Sequence, residues 1–333
     1  MNRYKVYAIG AALVDTEIQV EDSDLTAMGV EKGLMTLVDP SRQAELIAHL
    51  QGHLVKANHA SGGSAGNSMI ATAQFGGPTF MSCKVADDTD GDIYLADLES
   101  AGVDHCLGAE RESGTTGKCL VLITPDAERS MNTNLGISET LSVEQLDAAA
   151  IARSEYLYVE GYLVTSPTGL AAAIEARETA QASGVKTALS FSDPGMVEFF
   201  REGMAAIVGD KLDLIFCNEI EAKAWAGSED MDEAIEALKK VANSFAITLG
   251  SEGAITFDGE QLTKIAPHKV QAVDTNGAGD MFAGAFMYAI TRGEDFATAG
   301  RFGSLAAAQV VSSFGPRLSA AACTELRREF FGD

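Results

Sequence analysis

One segment of the sequence joins a run of small residues to an acid at the predicted start of a helix. Residues 269–290 read KVQAVDTNGAGDMFAGAFMYAI, so Gly277, Ala278 and Gly279 precede Asp280 and a nearly continuous apolar stretch. Small residues at a helix N-terminus leave backbone N–H groups uncovered, and an anion can approach them closely. The helix dipole also favours an ionised carboxylate there. This pattern predicts an anion site beside an ionised Asp280 that accepts a hydroxyl proton during phosphoryl transfer.

A purely structural interpretation of the same residues stays open. Asp274 or Asp280 is also a suitable helix N-cap, and the glycines are suited to a turn. That interpretation explains why a helix starts here. It does not explain why so apolar a helix, which must be buried, begins with an acid in a Gly-rich loop.

The elements that would position this segment alternate between strands and helices. Strands are predicted at residues 4–9, 156–159, 186–191, 212–217 and 244–249, and helices at residues 40–50, 67–75, 169–182, 231–241, 280–292, 296–313 and 320–331. A Gly-rich turn is predicted at residues 61–66. Alternation of this kind predicts an α/β fold with a mostly parallel sheet that is covered by helices on both faces.

The alternation lapses in two stretches of the chain. Strands are predicted at residues 16–20 and 33–38 in the first stretch and at residues 118–123 and 129–134 in the second. The second pair is joined by the turn signal Pro125-Asp126, with no helix between the strands. We expect these strands to form a small separate sheet, a flap attached to the main body at two points in the sequence.

Two motifs resemble the signatures of the ribokinase-like (PfkB) family of kinases. The segment DTNGAGD at residues 274–280 is similar to the family's C-terminal signature. The segment SGGSAGNS at residues 61–68 resembles its substrate loop in the version found in adenosine kinases. The resemblance covers nearly the whole chain and implies one three-layer α/β domain over residues 1–333, with a mostly parallel sheet flanked by helices. It also implies a small β-stranded lid formed by two insertions, at about residues 13–38 and 115–137.

The resemblance assigns chemical roles to residues of both motifs. It implies that Asp280 is the general base and that three small residues form an anion hole for the γ-phosphate of ATP, namely Gly277, Ala278 and Gly279. It implies that Asp15 holds two ribose hydroxyls, which suits a carboxylate because two adjacent O–H donors can satisfy its acceptors. Further sugar contacts are implied for Gly62, Gly63 and Asn67.

Two further segments resemble the family's nucleotide side. Residues 218–221 are similar to its N-x-x-E motif, whose Glu supports Mg²⁺ through water, so Glu221 is the expected metal-linked residue. Contacts with ATP are implied for Asn218, Thr248, Gly250, Ser251 and Gly253. Arg129 on the flap aligns with an arginine of adenosine kinases that reaches over the phosphates. The resemblance also allows a monovalent cation such as K⁺.

Four residues are expected beside the ring system of the acceptor. Leu135 and Ile137 on the flap suit an apolar base. Tyr162 matches one of two consecutive aromatic residues in adenosine kinases, and Leu163 replaces the other. The sequence therefore favours a ribonucleoside, above all adenosine, that is phosphorylated on its 5′-hydroxymethyl group. A kinase of ribose, fructose or ketodeoxygluconate, an inosine or guanosine kinase, and a non-catalytic ligand-binding protein are the alternatives that stay open.

The overall composition argues against several classes of protein. The net charge of −24, from 48 acidic and 24 basic side chains, argues against a nucleic-acid or anionic-membrane partner. The five cysteines form no C-x-x-C pair and fit a reducing compartment. No stretch approaches the ~18 apolar residues of a membrane span, so we expect a cytoplasmic protein, either a monomer or a homodimer. Gly10-Ala11-Ala12-Leu13 is not the G-x-G-x-x-G of a dinucleotide oxidoreductase.

Overall fold

The computed structural model describes residues 4–53, 55–108 and 110–332, with the backbone alone for residues 55–60. Their strands are β1 (Tyr4–Ile9), β2 (Leu13–Gln19), β3 (Met35–Leu37), β4 (Val55–Gly62), β5 (Thr79–Ser82), β6 (Val103–His105), β7 (Gly117–Ile123), β8 (Arg129–Asn134), β9 (Ser154–Glu160), β10 (Lys186–Ser190), β11 (Leu212–Asn218), β12 (Ala242–Thr248), β13 (Ala254–Phe257) and β14 (Leu262–Ile265). Their α-helices are α1 (Asp22–Met28), α2 (Pro40–His49), α3 (Ser64–Gln74), α4 (Thr89–Ser100), α5 (Ala148–Ile151), α6 (Pro167–Ala182), α7 (Pro194–Phe199), α8 (Arg201–Val208), α9 (Glu219–Ala226), α10 (Met231–Val241), α11 (Ala278–Arg292), α12 (Phe296–Val311) and α13 (Ala320–Phe331).

The large sheet has nine strands in the order β14-β13-β12-β11-β10-β9-β1-β5-β6. The strands from β12 to β6 pair in parallel, whereas β13 and β14 add an antiparallel edge. Because parallel strands end at the same edge of a sheet, the loops that follow β1, β9, β10, β11 and β12 gather there. We call this the C-terminal edge of the sheet.

Helices cover both faces of the large sheet, as the alternation predicts. Strand β1 shows why, since Val6 and Ala8 pack into the core on one face while Tyr7 and Ile9 pack into the core on the other. The first face is covered by α3, α4, α11, α12 and α13 and the second by helices that include α6, α8 and α10. The predicted three-layer α/β fold is confirmed.

The small sheet has five strands in the order β3-β8-β7-β2-β4. Side chains alternate along β7, so Leu120 and Leu122 pack against α1 and α2 while Cys119 and Val121 point to the opposite face. The predicted small sheet is therefore confirmed, and its outer face is covered by two helices.

The structure differs from the predicted elements around the substrate loop, which we define as residues 61–67. Ser61 and Gly62 end strand β4, which pairs antiparallel with β2, and α3 begins at Ser64 rather than at residue 67. The predicted turn at residues 61–66 is therefore wrong for most of its length. Helix α1 is likewise absent from the sequence prediction, although a capping box between Glu21 and Asp24 marks its start.

The described part of the chain holds no helix with the length and apolar character needed to cross a bilayer. Its five cysteines are free thiols.

Candidate active site

A cavity of about 850 Å³ lies at the C-terminal edge of the large sheet and is bordered by the small sheet. It brings together most of the predicted site residues: Asp15, Gly63, Asn67, Arg129, Leu135, Tyr162, Asn218, Glu221, Thr248, Gly250, Ser251, Gly253, Gly277, Ala278, Gly279 and Asp280. Three predicted residues do not line it, namely Gly62, Ile137 and Leu163. A volume of this size is typical of a site for small molecules.

The segment at residues 274–280, which we call the anion loop, leads directly into helix α11. Gly277 is the N-cap of α11 and has a φ of 71°, in the left-handed region that glycine tolerates best. A Cβ atom at Gly277 would also lie 2.2 Å from the carbonyl oxygen of Pro316. Any side chain at this position would therefore move the loop.

The acids of the anion loop do not cap the helix. Asp274 accepts hydrogen bonds from the N–H of Asn276 at 2.8 Å and from the N–H of Gly315 at 3.1 Å, so it ties the loop to the segment after α12. The N-cap of α11 has no side-chain hydrogen bond. The interpretation of Asp274 or Asp280 as an N-cap is therefore wrong.

The first turn of α11 offers N–H groups to a ligand. The N–H of Ala278, a predicted donor of the anion hole, instead donates to the carbonyl oxygen of Thr275 at 3.3 Å. The N–H groups of Gly279 and Asp280 have no acceptor in the described residues, and both residues line the cavity. Free N–H groups at the positive end of a helix dipole form a site for an anion such as a phosphate.

Asp280 is held by two side chains of the opposite wall. The hydroxyl of Ser64 donates to Oδ1 at 2.6 Å, and Nδ2 of Asn67 donates to Oδ2 at 3.0 Å. Burial raises the pKa of Asp280, while these two hydrogen bonds and the charge of Arg129 lower it. Burial therefore opposes the ionised form that the helix dipole is predicted to favour. A raised pKa suits a group that must accept a proton and then release it.

Asp15 lies buried on strand β2 with an oxygen that no protein group satisfies. Its side chain is 7% exposed, and Oδ1 has no hydrogen-bond partner in the described residues. The pKa of Asp15 is raised to about 7, mainly by burial and also by the neighbouring Glu17, against the charge of Arg317, which lowers it. Oδ1 of Asn67 also lacks a described partner. Buried polar atoms are normally satisfied, so two that face one cavity point to hydroxyl groups of a ligand.

Gly62 supports this site without lining it. A Cβ atom at Gly62 would lie 2.1 Å from Oδ1 of Asp15. The missing side chain therefore makes the room that the carboxylate occupies, and the direct contact of Gly62 with a sugar stays a prediction.

The cavity wall beside Asp15 is largely apolar. Its apolar side chains are Leu13, Met35, Leu37, Met131, Leu135 and Tyr162. The hydroxyl of Tyr162 donates to the carbonyl oxygen of Ser192 at 3.3 Å, which fixes the ring. Leu163 is 5% exposed and belongs to the core under the sheet, and Ile137 is 9% exposed and buried at the base of the flap. Neither residue lines the cavity, and their contacts with a base stay predictions.

Asn218 and Glu221 form a reciprocal capping box at the start of α9. Nδ2 of Asn218 donates to Oε1 of Glu221 at 2.8 Å, and the N–H of Asn218 donates to Oε2 at 2.9 Å. Burial raises the pKa of Glu221 to about 7. The described residues hold no group of three or more His, Cys, Asp or Glu that could bind a metal ion by itself. A single carboxylate fits Mg²⁺ that is held mainly by phosphates and water.

Two cationic side chains of the described residues line the cavity, Arg129 and Lys269. Nε of Arg129 has no described hydrogen-bond partner, so the guanidinium can bind a ligand. The sequence does not mark Lys269, because a lone lysine before the anion loop carries no distinctive spacing. In a chain of net charge −24, these are the local charges that can hold a polyanion.

Glu160 is a further buried acid that the sequence did not mark. It is 1% exposed, and its carboxylate accepts hydrogen bonds from the N–H groups of Ala65 at 2.8 Å and Ala11 at 3.3 Å. Burial raises the pKa of Glu160 to about 7. It joins the ends of β9 and β1 to the start of α3, so it positions the substrate loop.

Residues 35–323 match the pfkB family of carbohydrate kinases. The chain belongs to the PfkB family. This PfkB kinase has the ribokinase-like α/β fold, and its structure superposes on an adenosine kinase from Sinorhizobium meliloti with a TM-score of 0.93. The two sequences are 34% identical, and the match covers 98% of this chain and 99% of the other.

Similar sequences of PfkB kinases include enzymes with two kinds of acceptor. An adenosine kinase from Schizophyllum commune is 27% identical over 344 residues, which cover 95% of this chain and 97% of the relative. A ribokinase from Staphylococcus aureus (strain COL) is 28% identical over 279 residues, which cover 80% of this chain and 87% of the relative. The two identities are nearly equal, so they do not distinguish a nucleoside from a sugar as the acceptor of this kinase.

Proposed function

We propose that this PfkB kinase transfers the γ-phosphoryl group of ATP to the 5′-hydroxymethyl group of a ribonucleoside, with adenosine as its preferred acceptor. The observation that carries the proposal is that one cavity combines the unsatisfied oxygens of Asp15 and Asn67 with an apolar wall, which we call the apolar slot. A ribose fits the polar end, and a flat base fits the apolar end. The Sinorhizobium meliloti structure, at 34% identity, is an adenosine kinase, which supports the same acceptor.

In the proposed complex, the ribose lies between strand β2 and helix α3. The carboxylate of Asp15 accepts hydrogen bonds from the 2′- and 3′-hydroxyls, which satisfies its buried oxygen. The base lies against Tyr162 and Leu135, where burial of apolar area contributes about 25 cal/mol per Å². The 5′-hydroxyl then points to Asp280, the acid at the end of the cavity that meets the anion loop.

The chemical step uses Asp280 as the base and the anion loop as the phosphoryl site. The 5′-oxygen forms a bond to the γ-phosphorus while the bond to the β,γ-bridging oxygen breaks, and ADP leaves. The hydroxyl proton passes to a carboxylate oxygen of Asp280. The N–H groups of Gly279 and Asp280 and the guanidinium of Arg129 bind the oxygens of the transferring group.

The nucleotide occupies the cavity beside β11, β12 and the loop at residues 248–253. Gly250, where a Cβ atom would meet no neighbour, lets the backbone approach it, and Lys269 adds a positive charge on this side. Gly253 instead makes room for the carbonyl oxygen of Ile265. Glu221 would hold Mg²⁺ through water, and the ion would supply the charge that neutralises the triphosphate.

The small sheet acts as a lid in this proposal. Met35, Met131 and Leu135 are carried by its strands or lie directly after them, so they meet the acceptor when the sheet lies over the cavity. The sheet contacts the anion loop, because Nδ2 of Asn276 donates to Glu17 at 2.9 Å on β2. Closure would exclude water from the phosphoryl group.

A ribose kinase is the second candidate. Asp15 and Asn67 would bind the hydroxyls of free ribose equally well, and the Staphylococcus aureus relative is a ribokinase. Free ribose would leave the apolar slot filled with poorly bound water, so it would gain less on binding.

The acceptor is tested by ADP release from ATP with adenosine, inosine, guanosine, ribose, fructose and ketodeoxygluconate at equal concentration. Adenosine should exceed ribose in kcat/KM by more than about tenfold, because burying a base adds a few kcal/mol. A control without acceptor measures ATP hydrolysis. Equal rates with ribose or fructose would make the chain a sugar kinase.

Activity should require Mg²⁺. Excess chelator should reduce turnover to the level of the control without enzyme, because two cations of the cavity wall cannot neutralise a triphosphate. Glu221→Gln should raise the Mg²⁺ concentration that gives half-maximal rate, and Glu219→Gln, whose carboxylate pairs with Lys223 on the surface, is the matched control. Full turnover in chelator would contradict the role of the metal.

A further inference from the structure

An arginine outside every motif named above contacts the substrate loop. Nη1 of Arg317 donates to Oγ of Ser61 at 3.0 Å, and Nη2 donates to Oδ2 of Asp97 at 2.7 Å. The N–H of Ser61 donates to the same oxygen of Asp97 at 3.2 Å, and their side chains form a further short hydrogen bond. Three side chains from three separate segments therefore form one closed network, in which the arginine side chain is 13% exposed.

This network lies directly behind the part of the loop that faces Asp15. Ser61 is opposite Val14 in the pairing of β4 with β2, and Gly62 is opposite Leu13. The backbone of Gly62 packs so closely against the Asp15 carboxylate that no Cβ atom would fit. A shift of Ser61 would therefore move the wall that fixes the Asp15 carboxylate.

The same short segment also contacts the anion loop. Pro316, the neighbour of Arg317, packs against Gly277, and the N–H of Gly315 donates to Asp274 at 3.1 Å. Residues 315–317 thus touch the acceptor side and the phosphoryl side of the cavity at once. Arg317 is the member of this segment whose side chain reaches the substrate loop.

We infer that Arg317 is a positioning residue for the acceptor, which acts by holding Ser61, and through it the substrate loop, against Asp97. The inference rests on the proposed function for the identity of the acceptor. The positive charge of Arg317 supports it, because it lowers the pKa of Asp15 against the effect of burial and so favours the form that accepts two hydroxyls. A lysine would keep the charge but lacks the fork that binds two partners.

The test compares steady-state constants of Arg317→Gln, Arg317→Lys and Ser61→Ala with those of the unmodified chain. Arg317→Gln should raise KM for the nucleoside at least about tenfold, with kcat and KM for ATP within about twofold, since the loss is in acceptor binding. The KM of Arg317→Lys for the nucleoside should lie between those of the unmodified chain and Arg317→Gln. Ser61→Ala removes the two hydrogen bonds of the hydroxyl but keeps the ion pair of Arg317 with Asp97 and the backbone hydrogen bond of residue 61 to Asp97, so it should raise the same KM only about threefold.

Arg327→Gln is the matched control. Arg327 is also partly buried near the C-terminus, but its Nη1 donates to the carbonyl oxygen of Phe75, away from the cavity. It should change stability without a change in nucleoside KM. An unchanged nucleoside KM in Arg317→Gln, or an equal rise in the Arg327→Gln control, would overturn the inference.

Hydrogen exchange separates this inference from the proposed function. If the unmodified chain phosphorylates no nucleoside, the proposed function fails while the loop can still be measured. Amides of residues 61–67 should exchange faster in Arg317→Gln than in the unmodified chain, and faster than in Arg327→Gln. Unchanged exchange in that segment would overturn the role of Arg317 whatever the acceptor is.

Discussion

Replacement of Asp280 by Asn is expected to lower kcat at least about a hundredfold, the scale of a positioned general base. The amide keeps the size of the side chain, and its oxygen can still accept from Ser64 or Asn67, so the loop should keep its shape. It cannot take up the proton of the attacking hydroxyl. Among the acids of the anion loop, Asp280 lines the cavity, whereas Asp274 is fully buried and bonded to backbone N–H groups.

Binding and stability measurements separate this effect from misfolding. The Kd for adenosine, from calorimetric titration, should change by less than about threefold, and the thermal midpoint should not fall, because removal of a buried carboxylate with a raised pKa relieves desolvation. Glu252→Gln is the control, because it removes a negative charge from an exposed residue of the cavity wall on the side proposed for the nucleotide. Near-native turnover of Asp280→Asn would remove Asp280 from its role.

Replacement of Asp15 by Asn is expected to lower kcat/KM for adenosine at least about a hundredfold. Each hydrogen bond to a charged group is worth about 1.5–3 kcal/mol, and the proposed complex has two of them. With 2′-deoxyadenosine, where one hydroxyl is missing, the same substitution should cost much less, since the two changes remove a shared interaction. An equal loss with both nucleosides would show that Asp15 does not bind the 2′-hydroxyl.

The same substitution should raise stability at alkaline pH. The pKa of Asp15 is raised from 3.8 to about 7 by burial, so the folded chain holds this proton more tightly than the unfolded chain. The stabilisation of the folded chain by this proton on Asp15 is complete below a pH of about 4 and is lost as the pH rises through about 7. At pH 8 the Asn variant should therefore melt at a higher temperature than the unmodified chain, and the difference should shrink toward pH 5. A difference that does not depend on pH would contradict the assignment.

The sequence predicts the layers and most elements of the large sheet because they depend on local pattern. Strand β1 and helices α10 and α13 fall at their predicted residues, since apolar runs and one-sided apolar spacing repeat over enough residues to identify them. Strand β4 has no such pattern in VKANHASG, and it becomes a strand through its pairing with β2. Pairing of distant segments is a tertiary effect that a local pattern does not carry.

The site divides in the same way. Asp280 and the small residues before it carry a compact motif, so their meeting with Asn67 at the cavity follows from the resemblance to the PfkB family. Arg317 and Glu160 belong to no motif. Arg317 contacts Ser61, which lies more than two hundred residues away in the sequence, and Glu160 contacts Ala65, which lies about a hundred residues away. The analogy with an aromatic pair predicts Leu163 at the cavity, but its side chain packs in the core. Orientation of this kind depends on packing.

The central claim, phosphorylation of a nucleoside in preference to a sugar, is tested most directly by internal competition. Adenosine and ribose at equal concentration share one pool of enzyme, ATP and Mg²⁺, and mass spectrometry measures AMP and ribose 5-phosphate at early times. The product ratio equals the ratio of the two kcat/KM values, so AMP should exceed ribose 5-phosphate by more than about tenfold. Ribose 5-phosphate in equal or larger amount, or ADP formed without AMP, would contradict the account.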